Sequence, residues 1–129
     1  MEQKNFLIEK EFCGMEPDAI PEDCPVLTAL SVIGGKWKIP VIYVLRGEPV
    51  RFSALQRTLD GITQKMLTQC LRELEADGLV HREVYPQVPP RVEYSLTPLA
   101  CKLQPILYSL CEWGTQYQQE AEIRGQRAV

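Results

Sequence analysis

Residues 53–78 have the sequence SALQRTLDGITQKMLTQCLRELEADG, which predicts two short helices joined by a tight turn at residues 60–62. Ser53 and Gln56 have the spacing of a capping box, in which each side chain satisfies a backbone N–H, so the first helix is expected to begin at Ser53. Gly61 can adopt the left-handed conformation that commonly follows a helix. This order is typical of a helix-turn-helix.

The second helix is expected to begin after Thr63, a preferred N-cap residue, with Ile62 and Leu67 spaced as a hydrophobic staple. Its apolar side chains recur at helical spacing and are therefore predicted to be buried. They are Leu67, Cys70, Leu71 and Leu74. An ordinary amphipathic surface helix would show the same two faces, so the pattern alone leaves a structural and a functional interpretation open.

The polar face of this helix carries candidate contacts to DNA phosphates and base edges. Arg72 could bind guanine through two hydrogen bonds, a Gln such as Gln64 could bind adenine, and Lys65 suits a phosphate. The complete set of candidates along this segment is Ser53, Thr63, Gln64, Lys65, Met66, Thr68, Gln69 and Arg72.

A β-hairpin is predicted directly after this helix. Residues 79–85 and 91–96 alternate with the two-residue period of half-buried strands, and three prolines make residues 86–90 a loop. A two-stranded hairpin in this place is the wing of a winged helix-turn-helix. Arg91, at the base of the wing, could contact a phosphate or the minor groove, or could instead pair with Glu93.

Two further helices are predicted upstream. The first opens with Pro25 and carries an apolar face before Gly34. That face consists of Val26, Leu27, Leu30 and Ile33. The second runs from about residue 36 to Gly47, with Pro40 near its first turn. Trp37 and Tyr43 are expected in the core or at helix contacts, because aromatic side chains bury large areas.

A long C-terminal helix is predicted to follow Thr97 and Pro98, with a kink at Pro105. Its apolar residues have the alternating four- and three-residue spacing of a coiled-coil seam. They are Leu99, Leu103, Ile106, Leu110, Trp113 and Tyr117. Since the preceding body is too small to cover this seam, we expect a homodimer whose interface also includes Leu27 and Leu30, facing a pseudo-palindromic DNA site.

The net charge of −3 conceals a basic segment. Residues 1–23 carry two Lys against seven Asp or Glu, whereas residues 36–72 carry seven Lys or Arg against two acidic residues. The basic segment coincides with the helix-turn-helix, as expected for phosphate contact, although a chance fluctuation of a few charges would look the same. The acidic segment is expected to lie away from DNA.

The predicted fold class is α+β and mostly helical. Residues 1–23 would form an acidic arm, residues 24–122 the winged-helix domain with its C-terminal dimer helix, and residues 123–129 a tail. The chain has no run of eighteen apolar residues and no signal-peptide pattern, so we expect no membrane contact and a cytoplasmic location.

Catalysis, a cofactor and a metal site are not expected. The chain has one His, His81, and five Cys without a C-x-x-C pair, which is too few ligands for a structural zinc site. Cys70 should be a core residue. The remaining alternative is a winged helix that docks on another protein, which the acidic balance of the chain would suit.

Residues 23–114 resemble the HxlR-type winged-helix transcriptional regulators of bacteria, which are related in fold to the MarR group. The resemblance is carried by DCPVLTALSVIGGKWKIPVIYVL, RFSALQR, GITQKMLTQCLRELEADGLVHREVYPQVPPRVEYSLTPLA and LCEWG. It implies a homodimer built from the first and last helices, double-stranded DNA binding through residues 63–77 and the wing, and repression or activation of nearby genes. It supplies no effector, so an oxidant and a small molecule both remain open.

Cys24 is a candidate sensor of oxidants or electrophiles. It precedes Pro25, and the partial positive charge of a helix N-terminus can favour a reactive thiolate, whereas the neighbouring Asp23 acts in the opposite direction. Some members of the resembling family look like redox sensors with a Cys at this motif. The same residue could instead be a small buried hydrophobe. Cys13 or Cys101 could resolve an oxidised Cys24.

Overall fold

The computed structural model describes residues 24–125, so the predicted acidic arm, Cys13 and residues 126–129 lie outside the described part of the chain. The elements are, in chain order, α1 (Pro25–Ile33), α2 (Lys38–Val44), β1 (Val50–Arg51), α3 (Phe52–Thr58), α4 (Gln64–Ala76), β2 (Val80–Tyr85), β3 (Arg91–Leu96), α5 (Pro98–Cys101) and α6 (Gln104–Ile123). The predicted class, α+β and mostly helical, is confirmed.

The three strands form one antiparallel sheet in the order β1-β3-β2. The predicted hairpin is confirmed, with Val80 of β2 opposite Leu96 of β3 and Tyr85 opposite Arg91. Strand β1 adds a third member to the sheet through Val50, which lies opposite Tyr94. The sequence did not predict β1, because two residues are too short to show a two-residue period.

The turn between α3 and α4 has the predicted geometry. Gly61 has a φ of 91°, a conformation that side-chain-bearing residues rarely adopt. Thr63 caps α4, its Oγ1 accepting a hydrogen bond of 3.1 Å from the N–H of Met66. Ile62 and Leu67, the predicted staple, are both buried in the core. These local signals fix the direction in which α4 leaves the turn.

The predicted capping box at Ser53 is wrong. Helix α3 begins one residue earlier, at Phe52, and Arg51 occupies the cap position without a side-chain cap hydrogen bond. Arg51 also belongs to β1, where it lies opposite Glu93. Pairing in the sheet therefore fixes the start of α3, and Ser53 remains as an exposed residue in its first turn.

The core lies between α2, α3, α4 and the sheet. The apolar face predicted for α4 is confirmed, and its four residues are 0–6% exposed. The largest fully buried side chains are Ile42, Leu45, Leu55, Leu67, Leu74 and Val41. Burial of each such side chain stabilises the fold by roughly 1.5–3 kcal/mol, so the position of α4 is held firmly.

Helix α2 is shorter than the predicted span of residues 36–47, and Pro40 lies in its first turn. Trp37 packs against the core as expected. The expectation for Tyr43 is wrong, since its side chain is 60% exposed and the guanidinium of Arg46 lies 3.9 Å above its ring. Val41 and Ile42 take the buried side of this short helix, which leaves Tyr43 on the surface.

The prediction of a single C-terminal helix is also wrong, because this segment forms two helices, α5 and α6. Helix α5 ends at Cys101, and Pro105 lies in the first turn of α6, where its missing N–H needs no partner. Pro105 therefore starts a helix and does not kink one. The predicted cap at Thr97 is confirmed by a hydrogen bond of 3.2 Å from the N–H of Ala100.

Among the described residues, no single helix is long and apolar enough to cross a membrane. Helices α1 and α2 are long and apolar enough only when taken together, and the chain bends by 75° between them. Two residues of this pair, Val41 and Ile42, are buried in the core.

Candidate nucleic-acid interface

Helix α4 exposes the polar face predicted from the sequence. Gln64, Lys65, Gln69 and Arg72 are exposed, and Thr68 is partly exposed. Their spacing of three and four residues places these side chains next to one another along the helix. Met66 and Thr63 are exposed near its N-terminus. Helix α4 therefore has one face fixed in the core and one face available to a partner.

A cleft of about 680 Å³ lies beside this face. One wall is the segment that joins α1 to α2, with Lys38 at the start of α2, and the other is formed by residues 63–73, the cap and most of α4. The lining residues are Gly34, Gly35, Lys36, Trp37, Lys38, Thr63, Lys65, Met66, Gln69, Cys70 and Glu73. Its three lysines make this surface basic. The sequence indicated the excess of positive charge, but it did not reveal that Lys36 and Lys38 lie against α4.

One carboxylate connects the two walls of the cleft. The Nζ of Lys38 lies 3.0 Å from Oε1 of Glu73, and Nε2 of Gln69 donates a hydrogen bond of 2.7 Å to Oε2 of the same carboxylate. The hydrogen bonds from Gln69 and Lys38, together with the charge of Lys38, hold the pKa of Glu73 below its ordinary value of 4.5. Glu73 is therefore ionised at neutral pH. Sequence reasoning missed both Glu73 and Lys38.

A second, smaller cleft of about 300 Å³ separates α4 from the sheet. Its lining residues are Thr68, Leu71, Arg72, Glu75, Arg82 and Tyr94. Arg82 of β2 pairs with Glu75 at 3.6 Å, whereas Arg72 forms no ion pair with any residue in the described range. Burial raises the pKa of the Tyr94 hydroxyl, which therefore remains a hydrogen-bond donor at neutral pH. This cleft adds Arg82 to the cationic groups near α4.

Arg91 lies opposite Tyr85 at the loop end of the wing, and not at its base as predicted, and it is held by two neighbours. Its Nε lies 3.4 Å from Oε2 of Glu93, and its guanidinium lies 4.2 Å above the ring of Tyr85. The pairing with Glu93 that the sequence left open is therefore present. His81 makes a similar contact further along the hairpin, with its Nε2 2.8 Å from Oε1 of Glu83.

Helices α1 and α6 expose a row of apolar side chains. Six of the seven predicted interface residues are 46–63% exposed: Leu27, Leu30, Ile106, Leu110, Trp113 and Tyr117. The seventh, Leu103, packs partly against the core. The rings of Trp113 and Tyr117 stack with their centroids 5.5 Å apart. A single chain thus leaves the predicted seam uncovered by the residues that the structure describes.

The cysteines differ in their surroundings. Cys24 is 2% exposed and lies at the cap of α1, immediately before Pro25. Cys70 is also buried, as predicted, and burial raises its thiol pKa despite the nearby charge of Lys38. Cys101 and Cys111 are exposed. Within residues 24–125, no group of three or more His, Cys, Asp or Glu side chains could hold a metal ion.

Comparisons with known proteins identify the family of this chain. The family of HxlR-like helix-turn-helix proteins matches residues 32–122. An HTH-type transcriptional regulator of Methanothermobacter thermautotrophicus is 48% identical over 120 residues, which cover 91% of this chain and 92% of that protein. The similarity therefore extends over most of both chains.

Solved structures that are similar to this fold include those of two regulators. The redox regulator HypR in its reduced form is 52% identical, with a TM-score of 0.72 over 76% of this chain and 97% of HypR. The reduced form of the transcriptional regulator YodB from B. subtilis is 33% identical, with a TM-score of 0.67 over 76% of this chain and 95% of YodB. YodB has a second structure after treatment with diamide. The present chain belongs to the HxlR-like helix-turn-helix family and is a transcriptional regulator of the helix-turn-helix type.

Proposed function

We propose that this regulator binds double-stranded DNA as a homodimer, with α4 in the major groove and the wing alongside it. The observation that carries the proposal is the division of α4 into a buried apolar face and an exposed polar face with Lys65 and Arg72 on it. A helix fixed in this way can enter a groove about 12 Å wide without unfolding any of the core.

The contacts divide into two kinds. Lys65 contacts a phosphate and contributes affinity for any sequence, whereas Arg72 and Gln64 read base edges and contribute specificity. Arg91 contacts DNA from the wing through the guanidinium nitrogens that do not face Glu93. The remaining proposed contacts are Ser53, Thr63, Met66, Thr68 and Gln69.

The homodimer is supported by the exposed apolar residues of α1 and α6. Contiguous apolar surface of this kind on a soluble chain marks an interaction site, and a helix that buries its seam against a second copy removes it from water. Two-fold symmetry then presents two α4 helices to a pseudo-palindromic operator. The domain that binds and dimerises spans residues 24–122.

DNA binding is tested by fluorescence anisotropy with an operator selected from random duplexes. We expect the binding to weaken with salt, since the release of counterions from the phosphates drives much of it. We also expect Arg72→Ala to lower the operator affinity about 5- to 150-fold, the equivalent of one lost base contact. Arg124→Ala, which removes the same charge at the end of α6, is the control and should bind as the wild type does. A winged helix that docks on protein would instead show no salt-sensitive binding to any duplex.

A second function, control by oxidants through Cys24, is favoured by the position of this thiol. Cys24 lies at the N-terminal end of α1, whose Leu27 and Leu30 belong to the proposed dimer interface, so modification there would displace one DNA-binding half relative to the other. HypR is described as a redox regulator, and YodB was treated with diamide, which supports a thiol response in this family. Because Cys24 is 2% exposed, its thiol must become more accessible before an oxidant can reach it.

This second function is tested by measuring operator affinity before and after treatment with diamide. We expect the oxidant to change the affinity of the wild type and to leave Cys24→Ser unaffected. Cys111→Ser is the matched control, since it removes an exposed thiol that is not at the cap of α1, and it should respond as the wild type does. An equal response in wild type and Cys24→Ser, or no response in either, contradicts control through Cys24 and favours a small-molecule effector.

A further inference from the structure

Glu73 is exposed on α4 one helical turn after Gln69, a proposed DNA contact. A carboxylate near a phosphate backbone repels it, so an unpaired Glu73 would weaken binding to every DNA sequence. In this chain the ammonium group of Lys38 lies 3.0 Å from one carboxylate oxygen and offsets that charge. Lys38 is only 15% exposed, so the compensating charge is held in place by the protein.

The second oxygen of Glu73 determines which way the Gln69 amide points. An ionised carboxylate only accepts hydrogen bonds, so the amide nitrogen of Gln69, and not its oxygen, must face Glu73. The observed bond of 2.7 Å from Nε2 to Oε2 has this orientation. The amide oxygen is then directed away from Glu73, and one amide hydrogen remains for a further donor contact.

We propose that Glu73 is a positioning residue that, held by Lys38, fixes the amide of Gln69 so that Gln69 selects a base with an exocyclic amino group in the major groove. This inference rests on the proposed binding of DNA through α4. Adenine and cytosine carry such a group, whereas guanine and thymine present acceptors to the amide oxygen. Adenine is preferred over cytosine, because its N7 also accepts the remaining amide hydrogen.

A positioning role of Glu73 differs measurably from that of an ordinary ion pair. A pair that only holds α2 against α4 would affect the affinity for all sequences alike. A carboxylate that orients Gln69 affects the preference at one base pair of each half-site. Base preference is therefore the informative measurement.

The test is selection from random duplexes by four proteins: wild type, Gln69→Ala, Glu73→Gln and Glu75→Gln. We expect the wild type to require adenine at one position of each half-site, and Gln69→Ala to reduce that preference about 5- to 150-fold. Glu73→Gln should relax the same position, because an uncharged amide both donates and accepts and no longer dictates the orientation of Gln69. Preferences at the other positions should persist and show that the variant is folded.

Glu75→Gln is the matched control, since Glu75 is on the same helix but pairs with Arg82. It should leave the Gln69 position unchanged. Retention of the wild-type preference in Glu73→Gln overturns the proposal, as does relaxation at a position other than that affected by Gln69→Ala. Failure of the wild type to select any sequence would instead refute DNA reading through α4, so the two failures are distinguishable.

Discussion

The effect of Lys38 on the pKa of Glu73 can be measured by substituting Lys38 alone. Hydrogen bonds from Gln69 and Lys38, and then the charge of Lys38, lower the Glu73 pKa from 4.5. We predict that Lys38→Met raises this pKa toward 4.5, because one hydrogen bond and one positive charge are lost. Carbon-13 NMR of the Glu73 carboxyl group across a pH titration gives the value directly.

The sign of the pH dependence follows from this lowered pKa. The contribution of the contact is complete above pH 4.5 and disappears as the pH falls through the lower pKa of the folded protein. Lys102→Met removes a lysine that does not line the cleft and should leave the titration of Glu73 unchanged. The assignment of Lys38 as the partner fails if both variants titrate as the wild type does.

Side-chain partners were predictable from the sequence only where they are near in the chain. Arg91 and Glu93 alternate onto one face of a strand, so their pairing was foreseeable from a two-residue period. Lys38 and Glu73 belong to different helices, and no local pattern indicates that they meet. For the same reason the exposed face of α4 was predicted from periodicity, whereas the fixed orientation of Gln69 on that face was not.

At the level of the elements, most helix starts were predictable from local residues, whereas one was determined by a contact between distant parts of the chain. Pro25 and Thr63 marked the starts of α1 and α4 as expected, and Gly61 has a positive φ in the turn between α3 and α4, since each effect acts within one turn. The start of α3 is determined by β1 pairing with β3, a long-range contact that the spacing of Ser53 and Gln56 does not reveal. The break between α5 and α6 was also not predictable, because the apolar repeat in the sequence continues across it.

The cap at Thr63 gives a prediction for α4. Thr63→Ala removes the acceptor for the N–H of Met66 and should lower the free energy of unfolding by about 1 kcal/mol. The expected loss is measured from urea unfolding followed by circular dichroism. Thr63→Ser keeps the hydroxyl and should remain near the wild type. Thr115→Ala, in the middle of α6, should not destabilise the protein, because Ala is the better helix former. Equal stability of Thr63→Ala and Thr63→Ser would show that the cap contributes nothing.

At the scale of the whole molecule, the distribution of apolar side chains indicates what a single chain lacks. Residues of α2, α3 and α4 fill the core, whereas α1 and α6 expose Leu30, Ile106, Leu110 and Trp113 to solvent. Helix α6 has twenty residues and extends about 30 Å, and Ala121 is its one buried residue. The exposed apolar residues of α6 were predictable from the sequence, because the spacing of a coiled-coil seam is a regular pattern. It did not predict that α5 and α6 are separate.

Leu110, near the middle of α6, tests whether a second copy covers this surface. We predict that the wild type sediments as a dimer at micromolar concentration and that Leu110→Glu sediments as a monomer, since the dimer would bury an unpaired carboxylate. The variant should keep its fold, because Leu110 is 50% exposed in the single chain. Its affinity for the two-half-site operator should fall, while its affinity for one half-site should persist.

Thr115→Glu is the matched control for this substitution. It adds the same charge to the same helix, but at a position outside the seam, where a carboxylate stays in water. We expect it to leave both the dimer and operator binding intact. A wild type that is monomeric at micromolar concentration, or a Leu110→Glu protein that remains as dimeric as Thr115→Glu, would contradict the seam as the dimer interface. In the case of a monomeric wild type, the operator would be bound by single winged helices, and its two halves would be recognised independently of each other.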